Sequence, residues 1–371
     1  LPVVDIVEVG AGGGSIAWVD QTGGLHVGPK SAGADPGPAC YGKGAADPVV
    51  TDADLVLGRI NPDRFLNGGM KLDIVAARTA LYEKVGRPLG LSIEEAALGI
   101  ATIADSAMSL AVRAASVNKG VDPRDTTMIA FGGAGPVHAV SIARQIFIPR
   151  VIVPKVPGTF SALGMLMASW RQDFVRTFIG RIGSLDEAAT QSVLAELASE
   201  GLAQLKRDGI SDQGAEFRFF ADLRYVGQEH ALPILIERVE MLTSDTGALR
   251  AQFHVEHDKR YGQAAVNEEL EIVNLRLVLT SARADTIAEE WMAQRWQPTE
   301  TKAELCRDVI YNDAAQAIES RVLWRPAMAA GDTVVGPAVV EEPNSTILIH
   351  PGDRATVTST GHLVIDLRFE A

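Results

Sequence analysis

An α/β fold is the class that this 371-residue sequence predicts, and three observations predict it. Residues 126–131 are apolar enough for a buried strand, break into Gly132-Gly133-Ala134-Gly135-Pro136, resume as a helical pattern over 137–145, and give a second buried strand at 150–153. Strand, glycine turn, helix and strand in that order are the pattern of a parallel α/β unit. Upstream, Ile93, Ala97, Ile100, Ala104, Ala107, Ala111 and Ala114 recur at helical spacing behind a Ser92/Glu95 capping box. One long helix is therefore predicted, running to Lys119 and stopping at Gly120. Beyond about residue 180 the pattern changes to alternating segments and polar helices, an α+β texture.

The remaining elements follow in order. Residues 3–9 and 15–19 are β-prone, and Gln21-Thr22-Gly23-Gly24 is a turn signal before the 25–27 run. A first helix starts at Asp73 as N-cap and stops at Gly86; residues 160–170 give another short helix. Ser184 and Glu187 form a second capping box, opening a helix that ends near Gly209. Strands are expected at 217–226 and 270–279 with a polar helix at 249–261, and from 309 the chain reads as strands punctuated by Pro337, Pro343 and Pro351. A domain of residues 1–180 and an α+β region of 181–371 are the expected division, with a β-rich tail from about 300.

Composition narrows the function. The chain carries 34 basic and 47 acidic side chains, a net charge of −13, and an excess of acid argues against a general nucleic-acid binder. The longest apolar stretch, 96–116, holds Asp105 and Arg113, which argues against a membrane span. Two cysteines, Cys40 and Cys306, cannot build a disulfide framework or a four-cysteine zinc site and suit a reducing, cytoplasmic setting.

Two glycine clusters are the strongest local features. Gly10-Ala11-Gly12-Gly13-Gly14-Ser15 has the backbone freedom to approach a phosphate, and Ser15 could add a hydroxyl, yet its spacing fits neither the dinucleotide fingerprint nor a P-loop. A tight glycine hairpin is the competing reading. The second cluster, Gly132 to Gly135, lies between a buried strand and a helix N-terminus, where α/β folds bind nucleotides; a plain packing turn is the alternative.

The runs GAGGGSIAWVD (10–20), VGPKSAGADPGPACYG (27–42), TDADLVLGR (51–59), VNKGVDPRDTTMIAFGGAGPVHA (117–139), SALGMLMA (161–168), DLRYVGQ (222–228) and GPAVVEEPNSTILIHPG (336–352) occur in the order found in the hydantoinase A / 5-oxoprolinase family, which the chain resembles over nearly its whole length. The resemblance implies the second half of an actin-like, sugar-kinase-like ATPase fold followed by a smaller α+β C-terminal domain. It further implies ATP-dependent activation of a carbonyl or amide oxygen by phosphorylation before opening of a cyclic amide, or carboxylation of a ketone as in acetone and acetophenone carboxylases. A non-catalytic scaffold half is a third expectation. In that fold Gly132, Gly133, Ala134 and Gly135 match the adenosine-side turn, with Gly12, Gly13, Gly14 and Ser15 as further nucleotide contacts, and the long helix packs beneath. Members are about twice this length, so the resemblance implies an N-terminal half carrying the phosphate motifs and most of the Mg2+ clamp, and a B-type partner subunit.

Candidate chemistry has a bland counterpart at each position. Asp35 and Asp52 are the candidate catalytic carboxylates; a turn before Pro36 and a helix N-cap are the structural alternatives. Cys40 is a thiol with no histidine near it in sequence. Lys30 and Arg59 could steady an anion or be paired. His254 and His257 share a helix face at i and i+3, a spacing that permits zinc though not as H-E-x-x-H; on so polar a helix an exposed face is the preferred reading. His138 either lines the nucleotide pocket or packs beside it, and Arg224, Tyr225 and Gln228 fall in a motif suited to folding, subunit contact or substrate.

Overall fold

The computed structural model describes residues 6–281, 287–300, 305–312 and 316–369. These residues divide into two compact units, a smaller one within 166–288 and a larger one formed by those within 6–165 and 289–369.

In the larger unit the strands Thr127–Ile129 and Arg150–Val153 pair in parallel and are joined by the helix Gly135–Gln145, as the sequence pattern predicts. The first strand is shorter than the apolar run because the backbone turns at Gly132, whose φ of 90° is left-handed. On the other side of Arg150–Val153 lies Leu363–Asp366, antiparallel to it, followed by Arg354–Val357 and Thr333–Val335. The tail therefore completes the sheet begun more than a hundred residues earlier. The reason is the alternation of Leu363 and Ile365 with Ala355 and Val357. These side chains are buried against Val140, Ala143, Val151 and Val153 in one core. A second sheet runs in the order Ser345–Ile349, Ala338–Glu342, Ile318–Trp324, Leu305–Val309, and places Ile347 and Ile349 in that same core.

The long helix spans Ile93–Ala115, then tightens into a 3-10 turn, Val117–Lys119, closed by left-handed Gly120. Both arms of its capping box form: the Glu95 amide donates to Ser92 Oγ at 3.2 Å, and the Ser92 amide to Glu95 Oε2 at 2.8 Å. Its buried stripe of Ala96, Ala97, Ile100, Ala101 and Ala104 packs on Val50, Ala53, Leu57, Leu81 and Val85. Small side chains let these elements approach closely. The helix is long and apolar enough to cross a membrane by length and composition alone, yet its buried stripe is the centre of this core.

Two further expectations are corrected. The helix from Asp73 does not stop at Gly86. It passes through a π-helical turn, Tyr82–Gly86, to Leu89 and ends at left-handed Gly90; Gly86 is right-handed helical and sits where a Cβ would come within 3.0 Å of the Leu91 carbonyl. Of the β-prone run at 3–9, residues 3–5 lie outside the described residues, and 6–9 are exposed and form no strand. Ser15–Val19 instead pairs with Leu25–Ser31 across the expected turn.

The smaller unit is one antiparallel sheet in the order Trp170–Arg181, Leu270–Ser281, Ala215–Tyr225, Leu232–Ile236. Two helices, Glu187–Arg207 and Gly247–Tyr261, cover it, burying Leu197, Leu205, Leu249 and Phe253 against Leu223, Leu275, Leu277 and Leu279. The first of these helices is capped by Asp186, which accepts the Ala189 amide at 2.7 Å, rather than by Ser184, whose hydroxyl donates to the Arg181 carbonyl.

Candidate functional site: a cavity between two glycine turns

Within the larger unit the two glycine clusters meet. A cavity of about 280 Å³ is lined by Gly13, Gly14 and Thr51 on one wall and by Gly133, Ala134 and Val137 on another. Tyr41, Ile60 and Phe65 give it an apolar side, and Asn61, Glu341, Glu342 and Ser345 a polar one. The first cluster is folded by its own hydrogen bonds. The Ser15 amide donates to the Gly12 carbonyl at 2.9 Å, and the Gly12 amide donates to Ser15 Oγ at 3.0 Å. The Thr51 amide and hydroxyl both donate to the Gly13 carbonyl at 2.9 Å. A Cβ on Gly13 would fall 2.9 Å from Thr51 Oγ1, so any larger residue there would displace that hydroxyl. The amides of Gly13, Gly14, Gly133 and Ala134 take no partner among the described residues. Backbone donors without protein partners on facing walls suit an anionic ligand.

The other candidates lie elsewhere. Gly12, Ser15, Gly132 and Gly135 are not on the cavity lining. Ser15 is buried with its hydroxyl spent on Gly10 and Gly12, and the Gly132 amide is spent on the Pro157 carbonyl. Asp52 is fully buried in the first turn of the helix Val50–Val56. Its carboxylate accepts the amides of Ala39, Cys40 and Val49 at 3.1, 2.8 and 2.9 Å, pinning the proline-rich loop to the helix. Asp35 is exposed on that loop, while its neighbours Gly33 and Pro38 reach the cavity. Burial, then the charge of Asp52, pushes the Cys40 thiol far above its ordinary range, so it is no nucleophile. Lys30 is exposed and off the cavity.

Beneath the Gly135–Gln145 helix lies a charged cluster that sequence reasoning did not assemble. His138 Nδ1 is 2.7 Å from Asp105 Oδ1 and its Nε2 is 3.2 Å from Asp54 Oδ2, all three side chains being almost wholly buried. Arg59 reaches the other oxygen of Asp54 at 3.2 Å, the Ile310 carbonyl at 3.1 Å and Asn312 at 2.5 Å; Asn312 in turn donates to Asp105. Burial alone would lower the His138 pKa, but the two carboxylates outweigh it and push the imidazole up to about 10. The cluster ties the Val50–Val56 helix, the long helix, the glycine-turn helix and the 310–312 segment together behind the cavity. Val137, adjacent to His138, lines the cavity. One signal was available: Asp105 is the sole carboxylate of the apolar stretch 96–116, and such a group needs a partner.

Glu341 and Glu342, also missed, end the strand Ala338–Glu342. Glu341 is spent on Arg307 at 2.7 Å and Asn61 at 3.3 Å. Glu342 pairs with Arg325 at 3.2 Å through Oε1 alone. Burial pushes its carboxyl up to about 7, against the pull of Arg325. Ser345, just beyond, donates to the Gly133 carbonyl at 3.1 Å and fixes the second glycine turn.

In the smaller unit His254 and His257 are not part of any cluster of three His, Cys, Asp or Glu side chains among the described residues, and His257 is buried rather than on an exposed face. His257 Nδ1 is 2.7 Å from the Gln263 carbonyl, its Nε2 is 3.1 Å from Gln228, and Tyr225 Oη is 2.9 Å from His254 Nδ1. Arg224 is paired with Glu271 at 2.8 Å. These residues fasten the loop after Tyr261 to the sheet.

Comparison with solved structures places the architecture in a class. It matches a nucleotide-free acetone carboxylase structure with a TM-score of 0.79 at 24% identity, covering 96% of this chain and 51% of that one. It matches the crystal structure of the ATP-dependent caprolactamase from Pseudomonas jessenii with a TM-score of 0.77 at 32% identity, covering 96% and 52%. The fold is thus the mixed α/β fold of ATPase-like subunits. The Hydantoinase/oxoprolinase family model matches residues 1–174 and the Hydantoinase/oxoprolinase C-terminal domain matches 185–368; the chain belongs to the hydantoinase/oxoprolinase family. Caprolactamase subunit alpha of Pseudomonas jessenii is 34% identical over 96% of this chain and 52% of its own length. The acetophenone carboxylase gamma subunit of Aromatoleum aromaticum is 30% identical over 98% and 51%, and 5-oxoprolinase 1 of Arabidopsis thaliana 30% over 99% and 30%. The chain spans about half the length, or less, of the curated relatives it matches.

Proposed function

We propose that this chain forms part of an ATP-dependent hydrolase of cyclic amides, the nucleotide being held in the cavity between the glycine turns. The convergence of Gly13 and Gly14 with Gly133 and Ala134 on one cavity carries this reading, because amides without partners among the described residues can receive an anion. When bound, ATP supplies the phosphoryl group that makes a poorly electrophilic amide reactive. The chain's own contribution is to position it: the amides orient the anion, and the apolar side of Tyr41, Ile60 and Phe65 excludes water. Mg2+ would be held mainly by the N-terminal portion that longer relatives carry; among the described residues no three His, Cys, Asp or Glu side chains converge.

Cyclic-amide hydrolysis is favoured by the likeness to caprolactamase and 5-oxoprolinase. Ketone carboxylation is the second reading, favoured by the likeness to the acetophenone carboxylase subunit. Several of these relatives are named as subunits, which supports action with a partner chain of the B type and with the N-terminal portion that longer relatives carry. ADP release by the full-length enzyme with its partner, offered a lactam, 5-oxoproline, N-methylhydantoin, or acetone with bicarbonate, tests this. Turnover on a cyclic amide without bicarbonate is expected. Turnover only with ketone and bicarbonate would replace the first reading by the second, and absence of nucleotide binding would remove both.

A further inference from the structure

Resting on that reading, we infer that Glu342 is the acid–base group of the cavity, exchanging a proton with the attacking water and the leaving nitrogen. Three observations carry it. Of the two carboxylates on the lining, Glu341 has both oxygens occupied, by Arg307 and Asn61, whereas Glu342 Oε2 has no partner among the described residues. Arg325, itself only 1% exposed, holds Oε1 from behind and is anchored by the Val153 and Gly361 carbonyls at 3.0 and 2.7 Å. The carboxylate is thus oriented but not neutralised on its cavity side. Finally, Glu342 forms part of the wall between this cavity and a second one of about 200 Å³ that Lys155, Trp296 and Arg325 also line.

A carboxyl titrating near neutrality suits the task, because an acid–base group is most effective when its pKa lies close to the working pH. Burial raises it to about 7; Arg325 opposes the rise. The other charged or titratable groups around it are Lys155 in the second cavity, His362 near Lys155 and Arg325, the neighbouring Glu341–Arg307 pair, and Tyr41 and exposed Arg64 on the first cavity's lining. In the step assigned to Glu342, a water oxygen bonds to the carbon of the O-phosphorylated amide and one proton passes to Oε2. The C–N bond breaks with its electron pair going to nitrogen, which ends with both of the water's protons. The acyl phosphate that remains is hydrolysed by a second water to carboxylate and phosphate.

The test is Glu342→Gln in the full-length enzyme with its partner, beside Arg325→Lys. For Glu342→Gln, a fall in kcat of about 10²-fold or more is expected, with KM for ATP little changed. Wild-type kcat should rise with pH through about 7, and that limb should vanish in the variant. Arg325→Lys, which loosens the carboxylate without removing it, should displace the limb rather than abolish it. An independent readout is the melting temperature. Because the folded-state pKa lies above the ordinary 4.5, ionisation of Glu342 costs stability as pH rises toward 7, so Glu342→Gln should melt higher than wild type at pH 8 and not at pH 4.5. Wild-type turnover on a cyclic amide together with an unchanged kcat and pH profile in Glu342→Gln would overturn this inference alone. No ATP-dependent turnover by wild type on any cyclic amide would overturn the proposed function and this inference with it.

Discussion

Two buried histidines, one in each unit, show how partners rather than burial decide what an imidazole does. His138 is 1% exposed and His257 is 4% exposed. His138 faces carboxylates with both nitrogens, Asp105 at 2.7 Å and Asp54 at 3.2 Å, and is held as a cation inside the protein. His257 faces a carbonyl with Nδ1 and a side-chain amide nitrogen with Nε2, so it donates from one and accepts at the other. The first is a charged joint between four segments behind the cavity. The second is a local pin that holds one loop to one sheet. The carboxylates around His138 come from distant parts of the chain, so that cluster reports on the whole larger unit, whereas the partners of His257 all lie on the strand and loop beside it.

The largest effect should come from breaking the charged joint. His138→Gln leaves Asp105 buried without its cation and Asp54 with Arg59 alone, and should cost about 3–5 kcal/mol in urea unfolding at pH 6. The sign with pH follows from the raised pKa of His138. Its contribution is complete below the ordinary 6.5 and is lost as pH rises toward 10, so the gap between variant and wild type should narrow over that range. A gap that stayed constant from pH 6 to 10 would mean that His138 acts as a neutral hydrogen-bonding group and that the two histidines are alike. Next in size is His257→Ala, expected to cost about 1–3 kcal/mol by leaving a buried carbonyl and an amide unpaired. A loss as large as that of His138→Gln would erase the distinction. Smallest in stability, but sharp in function, is Gly13→Ala. The added methyl meets a rotatable hydroxyl, Thr51 Oγ1, at 2.9 Å and Ala134 at 3.4 Å, so nucleotide affinity measured by calorimetry should fall while the melting temperature moves by only a few degrees.

Much of the architecture was legible because it rests on local periodicity. The Ser92/Glu95 capping box, the glycine turn before Gly135–Gln145 and the strand Arg150–Val153 are each set by residues close together in sequence. Helix ends were less legible where tertiary packing intervened: Gly86 reads as a stop, yet its lack of a side chain serves the approach of the Leu91 carbonyl. In the site, glycine was the readable signal, and four of the eight glycine-cluster positions singled out do line one cavity. The carboxylates were not readable. Asp52 stands in a conspicuous motif but is consumed by three backbone amides, whereas Glu342 ends an ordinary apolar strand and owes its setting to Arg325 and Asn61-bound Glu341, neither pairing visible in one-dimensional order.

The position of the Leu363–Asp366 strand has a consequence for how the molecule is made. It sits between Arg354–Val357 and Arg150–Val153 in the sheet, so a ribosome must deliver nearly the whole described chain before that sheet can close. The four-stranded sheet of the smaller unit, by contrast, draws all its strands and covering helices from one stretch, residues 170–281, available as soon as it emerges. During synthesis the inserted unit can therefore be finished while the surrounding one still exposes Val151 and Val153 along an open edge, the period in which a nascent chain most needs protection from aggregation.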